Sequence, residues 1–240
     1  MKIKILSWNI WCGSHLDEVI DFLRDLDADI IALQEVCEDE RGNLAEVIAK
    51  KLGYECVHAI GMLLPVKFLP GYDNSDTGGM KFGNAILSKH KIINNNAITL
   101  TNKSQRLIIE ANIEVGDSIL NVYSIHLNHT HQTQSDLQDL QANNLALLAN
   151  KPNTIVMGDF NALPDSSVIE KMSSVLKDVD EKKSTPTWCV YKEGCTVCLV
   201  DEVKYKLDYI FASSDIKSNS FKVHNSKGSD HLPISAIIEI

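Results

Sequence analysis

NTIVMGDFNALPD, residues 153–165, is an apolar run that stops abruptly in Gly-Asp-Phe-Asn. Asp159 and Asn161 are poor strand formers, yet they stand where a buried strand leaves the core. Strand ends and the loops after them are where an α/β scaffold carries its chemistry. The stretch therefore marks a strand and asks which other residues converge on its carboxylate and amide.

Outward from it, strand-like and helix-like segments follow one another. No internal repeat, low-complexity tract or Pro/Ser-rich linker divides them, so one domain over residues 1–240 is expected. Residues 2–9 alternate and then become wholly apolar. SHLDEVIDFLRDL (14–26) sets Leu16, Val19, Ile20, Leu23 and Leu26 at helical spacing, with Ser14 and Asp17 as a cap pair. ADIIALQEV (28–36) reads as a short buried strand, and NLAEVIAKKLG (43–53) as a helix closed by Gly53. Residues 61–80, with their prolines and glycines, read as a long loop whose Phe68 and Tyr72 would shape a substrate rim. FGNAILSK (82–89) resumes strand, and residues 106–127 form two strands joined across Gly116-Asp117. QSDLQDLQANNLALLAN (134–150) is helical, with Leu137, Leu140, Leu147 and Leu148 on one face. A further helix is expected over 166–177, and KLDYIF, SNSFKV and PISAIIEI give three last strands. Two packed β-sheets with helices outside would bury both faces of such strands.

Bulk composition narrows the function. No window is long and apolar enough to span a bilayer. The start, MKIKILSWNI, alternates and has no small-residue cleavage site, so the default expectation is a cytoplasmic protein. The net charge is −9, and the only arginines are Arg24, Arg41 and Arg106. A protein that grips long duplex DNA presents a basic face; here there is no extended one. Nucleic acid stays open as a substrate, and no protein partner can be inferred.

The six cysteines fall at 12, 37, 56, 189, 195 and 198. Without an export signal, an even count does not argue for disulfides. Cys195-x-x-Cys198 has the spacing to clasp zinc with Cys189 or a histidine. A single CxxC without a second pair is weak evidence, and the reading adopted is buried or loop thiols.

Five segments end an apolar run in a polar set: ILSWNI (Asn9), IIALQEV (Glu35), NVYSIHLN (His126), IVMGDFN (Asp159, Asn161) and KGSDHLP (Asp230, His231). KLDYIF adds Asp208. Each alone has a structural explanation, such as a cap or a hydrogen-bonded core histidine. Together their oxygens suit Mg²⁺ or Mn²⁺, and histidines beside such a site exchange protons near neutral pH. There is no GxSxG nucleophile motif and no GxxxxGK phosphate loop. An activated water attacking phosphorus in line is the chemistry left. His129 and His131 in HLNHTH are read as solvated loop residues, since a magnesium site seldom needs extra imidazoles.

In order and spacing, SWNI, LQEV, IHLN, GDFN, LDYIF and SDHLP resemble the endonuclease/exonuclease/phosphatase superfamily, from residue 5 to residue 233. The resemblance implies an α+β fold, a four-layer αββα sandwich of two packed mixed β-sheets with helices outside. It implies a Mg²⁺-dependent phosphoesterase (Mn²⁺ as the other candidate) with Glu35 as principal metal ligand and Asn9 and Asp230 sharing that role. Asp159 would orient or deprotonate the attacking water, and Asn161 would hold a phosphate oxygen. His231 would contact the scissile phosphate, fixed by Asp208, while His126 would steady the developing charge or the leaving group. IHLN is similar to the deoxyribonuclease I-like branches and unlike the abasic endonucleases. Asn84 and Arg106 are candidate substrate contacts. The competing expectation is a catalytically inactive binding module on the same scaffold, which typically lacks a metal carboxylate or a histidine of the set; none is missing here.

Overall fold

The computed structural model describes residues 1–39, 42–68, 75, 78–182, 185–195, 197, 198, 200 and 202–240. The first sheet is built from β1 (Lys2–Asn9), β2 (Ile30–Asp39), β3 (Gly42–Asn43), β4 (Glu55–Pro65) and β5 (Gly79–Ser88), with α1 (Leu16–Leu26) and α2 (Leu44–Leu52) between them. The second uses β6 (Ile92–Thr99), β7 (Leu107–Val115), β8 (Ser118–His126), β9 (Thr154–Asp159), β10 (Lys177–Asp178) and β11 (Asp208–Ala212), with α3 (Asp136–Ala149) and α4 (Ser167–Ser173). β12 (Lys217–Val223) and β13 (Ile234–Glu239) return to the first sheet. The spatial orders are β12-β13-β1-β2-β5-β4, with β3 beside β2, and β10-β11-β9-β8-β7-β6. Each sheet is mixed: β1–β2 and β8–β9 are parallel, joined through α1 and α3, and the other pairs are antiparallel.

Three apolar layers hold the sheets and helices together. Ile3, Ile5, Ile30 and Ala32 of the first sheet meet Val122, Ile155, Met157 and Ile210 of the second. On the outer face of the first sheet, Leu6, Trp8, Ile31 and Leu33 pack with Val19, Ile20 and Leu23 of α1 and Ala45 and Ile48 of α2. On the outer face of the second, Tyr123, Val156, Tyr209 and Phe211 pack with Leu145 and Ala146 of α3 and Ile169 and Met172 of α4. This is the four-layer αββα sandwich expected from the resemblance. Trp8 lies wholly in the core.

Several local expectations are corrected. Residues 61–65 and 79–80 are not loop: β4 and β5 extend as a hairpin whose Met62, Leu64 and Met80 pack on the layer between the first sheet and its helices while intervening side chains face solvent. The prolines and glycines masked that alternation. Tyr72 and the Phe68 side chain lie outside the described residues. Ser14 does not cap α1; His15 precedes the helix and the Ser14 hydroxyl donates to the Trp11 carbonyl. In α3 the buried face carries Gln138, Gln141, Ala142 and Leu145, whereas Leu147 is 77% exposed. Polar residues win that face because they hydrogen-bond to loop backbone beneath the helix. Cys12 and Cys37, expected as thiols, are paired as a disulfide between the turn after β1 and the end of β2. Gly53 and the Gly116-Asp117 turn are as expected, both glycines having positive φ.

Gly158 of GDFN has φ +153°, and an added Cβ would stand 2.0 Å from the Ile125 carbonyl oxygen of β8, its in-register neighbour. Gly158→Ala should therefore pry β8 from β9 and cost more than about 2 kcal/mol. Urea unfolding would read this as a lower midpoint; an unchanged midpoint would refute the close-approach argument.

Candidate active site

Every second residue of a strand lies on one face, so the inter-sheet rows can be followed to their ends. On β1 the row runs Ile3, Ile5, Ser7, Asn9; on β2, Ile30, Ala32, Gln34; on β8, Leu120, Val122, Ser124, His126; on β9, Ile155, Met157, Asp159. Each passes from apolar to polar at the same edge of the sandwich. Register aligns these ends: Asn9 pairs with Gln34 and Gln34 with Asn84 on the first sheet, while His126 pairs with Asp159 and Asp159 with Asp208 on the second. Just beneath, Gln34 spans the layer by donating to Ser124 Oγ at 3.1 Å, and the Ser124 hydroxyl donates to the Leu33 carbonyl at 3.1 Å.

Glu35 reaches this edge by an irregularity. Alternation would send it to the helix side with Ile31 and Leu33. Instead β2 slips register against β5 between Gln34 and Val36, and Glu35 adopts φ +53°. A bulge of this kind re-aims a side chain. The Glu35 carboxylate accepts from Asn9 Nδ2 at 3.3 Å and lies 3.9 Å from His126 Nε2, with 21% of its side chain exposed.

Asp159 is the hub. Its Oδ2 accepts from Asn9 Nδ2 at 3.2 Å and from Asn161 Nδ2 at 3.3 Å, and its Oδ1 from the Asn161 amide at 2.8 Å. His126 Nε2 lies 3.3 Å and His231 Nε2 3.7 Å from the same Oδ2. His231 Nδ1 is bonded to Asp208 Oδ2 at 2.9 Å. Asp230 is held by Trp188 Nε1 at 2.9 Å and by the Ser229 hydroxyl at 3.2 Å, while Trp8 Nε1 donates to the His231 carbonyl at 2.8 Å. Asn9, Glu35, His126, Asp159, Asn161, Asp208, Asp230 and His231 thus all belong to one cleft edge. The resemblance gives Asn161 a phosphate oxygen to hold. Its two amide hydrogens are engaged by Asp159 and the Leu127 carbonyl, so it acts here to orient Asp159.

Burial sets the electrostatics. It raises the pKa of Glu35, and the Asp230 carboxylate raises it further. It pushes Asp159 up to about 7, with Asp208 adding to the rise and His231 opposing it. Asp230 is raised by burial as well. His126 is lowered well below its ordinary value, by burial first and then by the positive charges of Arg106 and His231. Burial also disfavours a charged His231, but Asp208, Asp159 and Asp230 more than reverse this and hold its pKa well above the ordinary value. The two histidines are therefore driven apart, one neutral and one cationic, as acid–base partners often are. Oxygen donors crowded this way fit a hard divalent cation, whose charge would relieve the mutual repulsion.

Arg106 is not the surface cation that its isolation in the sequence suggests. Its guanidinium lies over the Phe82 ring, 5.5 Å from the centroid, and lines a small cavity with His126 and Asn84. Nε and Nη1 are buried without a partner among the described residues, as is Asn84 Oδ1, while Asn84 Nδ2 donates to the Leu107 carbonyl at 2.6 Å.

Two supports and one side-chain cluster were not foreseen from the sequence. Gln138 Nε2 donates to the carbonyls of Asn128, Phe160 and Asn161, and Gln141 clasps Asn128, so α3 pins the GDFN turn from below. The signal was available as glutamines at i and i+3 of an otherwise leucine-rich helix. His129 and His131 are exposed loop residues, as expected, but they also meet Cys195 and Cys198 in a compact cluster, and His129 Nδ1 contacts Asn161 Oδ1 at 2.8 Å.

Comparison with known proteins establishes the family and the fold. The endonuclease/exonuclease/phosphatase family model matches residues 6–231. Among similar solved structures, an endonuclease/exonuclease/phosphatase from Beutenbergia cavernae DSM 12333 has a TM-score of 0.79 at 19% identity, covering 100% of this chain and 72% of that one. The human Nocturnin catalytic domain with bound sulfate has a TM-score of 0.70 at 20% identity, covering 99% and 94%. ANGEL2, a 2′,3′-cyclic phosphatase, has a TM-score of 0.71 at 15% identity, covering 99% and 95%. No curated protein matches the sequence. Identities this low speak for the fold alone.

In the metal-free protein, His231 should stay protonated through neutral pH while His126 stays neutral. Replacing Asp208 by Asn removes a negative charge that favours the imidazolium, so the His231 pKa should fall by about 1–3 pH units. Histidine-selective NMR titration measures both. A wild-type His231 that titrates near 6.5 would contradict the assignment.

Proposed function

The chain belongs to the endonuclease/exonuclease/phosphatase family of hydrolases, and from that premise we propose that it is a Mg²⁺-dependent phosphoesterase, with Mn²⁺ as an alternative ion. The carrying observation is the convergence of Glu35, Asp159 and Asp230 with two oppositely tuned histidines at one edge of the sandwich. Glu35 and Asp230 would hold the cation, joined by Asn9 once its amide turns to present Oδ1, which here accepts from the Trp11 amide; the ion would supply Lewis-acid neutralisation of phosphate charge.

The chain's own groups supply the remainder. Asp159, braced by Asn9 and Asn161, is the acceptor for a proton of the attacking water. His231 is cationic and fixed by Asp208, so it offers Nε2–H to a phosphate oxygen as negative charge builds. His126, neutral and 3.3 Å from Asp159, offers an uncharged N–H on the neighbouring strand for the leaving group or the developing charge. Arg106 supplies Nε and Nη1 hydrogens that lack an acceptor among the described residues, and a phosphate oxygen is the acceptor that suits them. Asn84 shares its cavity and is the second substrate contact. A net charge of −9 with no extended basic face favours a small, lipid-derived or end-specific phosphate ester over bulk duplex DNA.

The test is hydrolysis with Mg²⁺ of bis-p-nitrophenyl phosphate, single-stranded DNA, 5′-tyrosyl DNA and inositol phosphates. Asp159→Asn or His231→Ala should lower kcat by about 10²–10⁴-fold with the fold intact. Chelation should abolish turnover and added Mg²⁺ restore it. Arg106→Ala should lower kcat/KM by about 10-fold or more, and Arg106→Lys should not restore it. Activity on none of these substrates, with an intact fold, would favour the inactive binding module.

A further inference from the structure

Sixty-odd residues apart in sequence, the HxH of the loop after β8 and the CxxC that follows the 192–194 turn meet in space. The donor atoms of His129, His131, Cys195 and Cys198 all lie within 4.8 Å of one another. We propose that these four side chains form a second metal site, tetrahedral and selective for zinc, that fastens the 195–198 loop to the loop after β8 and steadies Asn161.

The Cys198 thiol has an outside acceptor, Gln132 Oε1 at 3.4 Å, but hydrogen bonding does not account for the rest of the cluster. His131 Nδ1 is approached by Cys195 Sγ at 3.6 Å, by Cys198 Sγ at 3.5 Å and by His129 Nε2 at 2.9 Å. A ring nitrogen has one lone pair or one proton, so it cannot serve three neighbours. A cation at the centre serves all four. With bonds of about 2.3 Å to sulfur and about 2.0–2.1 Å to nitrogen, a tetrahedron has N···S edges of about 3.5–3.6 Å, which is the spacing observed. The same tetrahedron has an N···N edge of about 3.3–3.4 Å, so the His129 ring would shift back by about half an ångström on binding.

The surroundings prepare the donors. Asn161 Oδ1 accepts from His129 Nδ1, which leaves Nε2 as the lone pair facing the cluster. An outer partner of this kind fixes tautomer and ring orientation at metal-bound histidines. The Cys198 backbone N–H donates to Cys195 Sγ at 3.3 Å, a bond that favours thiolate sulfur. Cys189 is not one of the clustered donors; it is buried, with its thiol donating to the Tyr191 carbonyl at 2.7 Å. Two thiolates and two imidazoles select zinc over the hard ions of the neighbouring cleft. They neutralise its charge on loss of two thiol protons. Four protein donors leave no open position, so the site is structural. Zinc binding itself is independent of the activity proposed above; only its effect on Asn161 rests on that reading.

Chelator-stripped, reduced protein titrated with Zn²⁺ against a chromophoric competitor tests this. Wild type and Cys56→Ser should bind one tight equivalent. Cys195→Ser, Cys198→Ser and His131→Ala should weaken binding by about 100-fold or more, since a direct ligand counts for at least as much as an outer-shell partner. Co²⁺ should give thiolate charge-transfer absorption that disappears in the cysteine variants. In unmodified protein, Zn²⁺ should shield Cys195 and Cys198, but not Cys56, from alkylation read by mass spectrometry, which needs no variant to fold. The proposal is overturned if wild type takes up no zinc, if the cysteine variants keep it, or if both thiols alkylate equally with and without zinc.

Discussion

Strand register is the constraint on which this molecule depends. His126, Asp159 and Asp208 are in-register neighbours on three adjacent strands, and they face Asn9 across the inter-sheet layer. Because side chains alternate with a period of two, a one-residue slip of β9 would carry Asp159 into the layer beneath α3 and Phe160 into the cleft. The apolar rows prevent that slip. Ile155 and Met157 are buried between the sheets, and Val156 and Phe160 are buried under the helices. The core is thus what sets the positions of the polar groups at its edge.

Register alone would leave those groups free to rotate, and a second set of bonds removes that freedom. Asn9 bridges two carboxylates through one amide nitrogen while its Oδ1 accepts from the Trp11 amide. Ser229 ties the segment before β13 to the Asn9 carbonyl. Gln138 holds three carbonyls of the loops beneath α3. Most of these contacts are to backbone, so the cleft is built against the sheets and not on flexible side chains alone. Groups held this way need little rearrangement when charge develops on a bound substrate, the condition under which electrostatic stabilisation is most effective.

What the sequence shows and what it hides follow from the range of each interaction. Asp159 was legible because an apolar run that stops in Gly-Asp-Phe-Asn is a local event. The common grammar of strand ends exposed Asn9, His126 and Asp230 for the same reason. Glu35 was legible only as part of a motif; periodicity by itself points it to the wrong face, and a bulge against β5 corrects it. Arg106 could be named as a candidate contact, but its burial was hidden because it depends on the Phe82 ring of β5, distant in sequence. The Leu147 face of α3 was misassigned because Gln138 and Gln141 earn burial through loop carbonyls that no helical wheel contains. The CxxC spacing hinted at a zinc clasp with a histidine, but its meeting with HxH is a loop-to-loop contact that neither spacing specifies.

The two clusters also bear on each other. The cleft gathers carboxylate and amide oxygen, and its carboxyl groups Glu35, Asp159, Asp208 and Asp230 outnumber the cationic Arg106 and His231, which leaves room for a divalent charge. The neighbouring cluster gathers sulfur and imidazole nitrogen. Asn161 stands between them, donating to Asp159 on one side and accepting from His129 on the other. Hard and soft donors are thereby kept in separate sets although a single side chain joins them. Raw affinity would let a first-row transition metal displace magnesium from oxygen ligands. The thiolate-bearing cluster offers such an ion softer donors than the cleft does, and zinc held there braces the asparagine that aligns the cleft's central carboxylate.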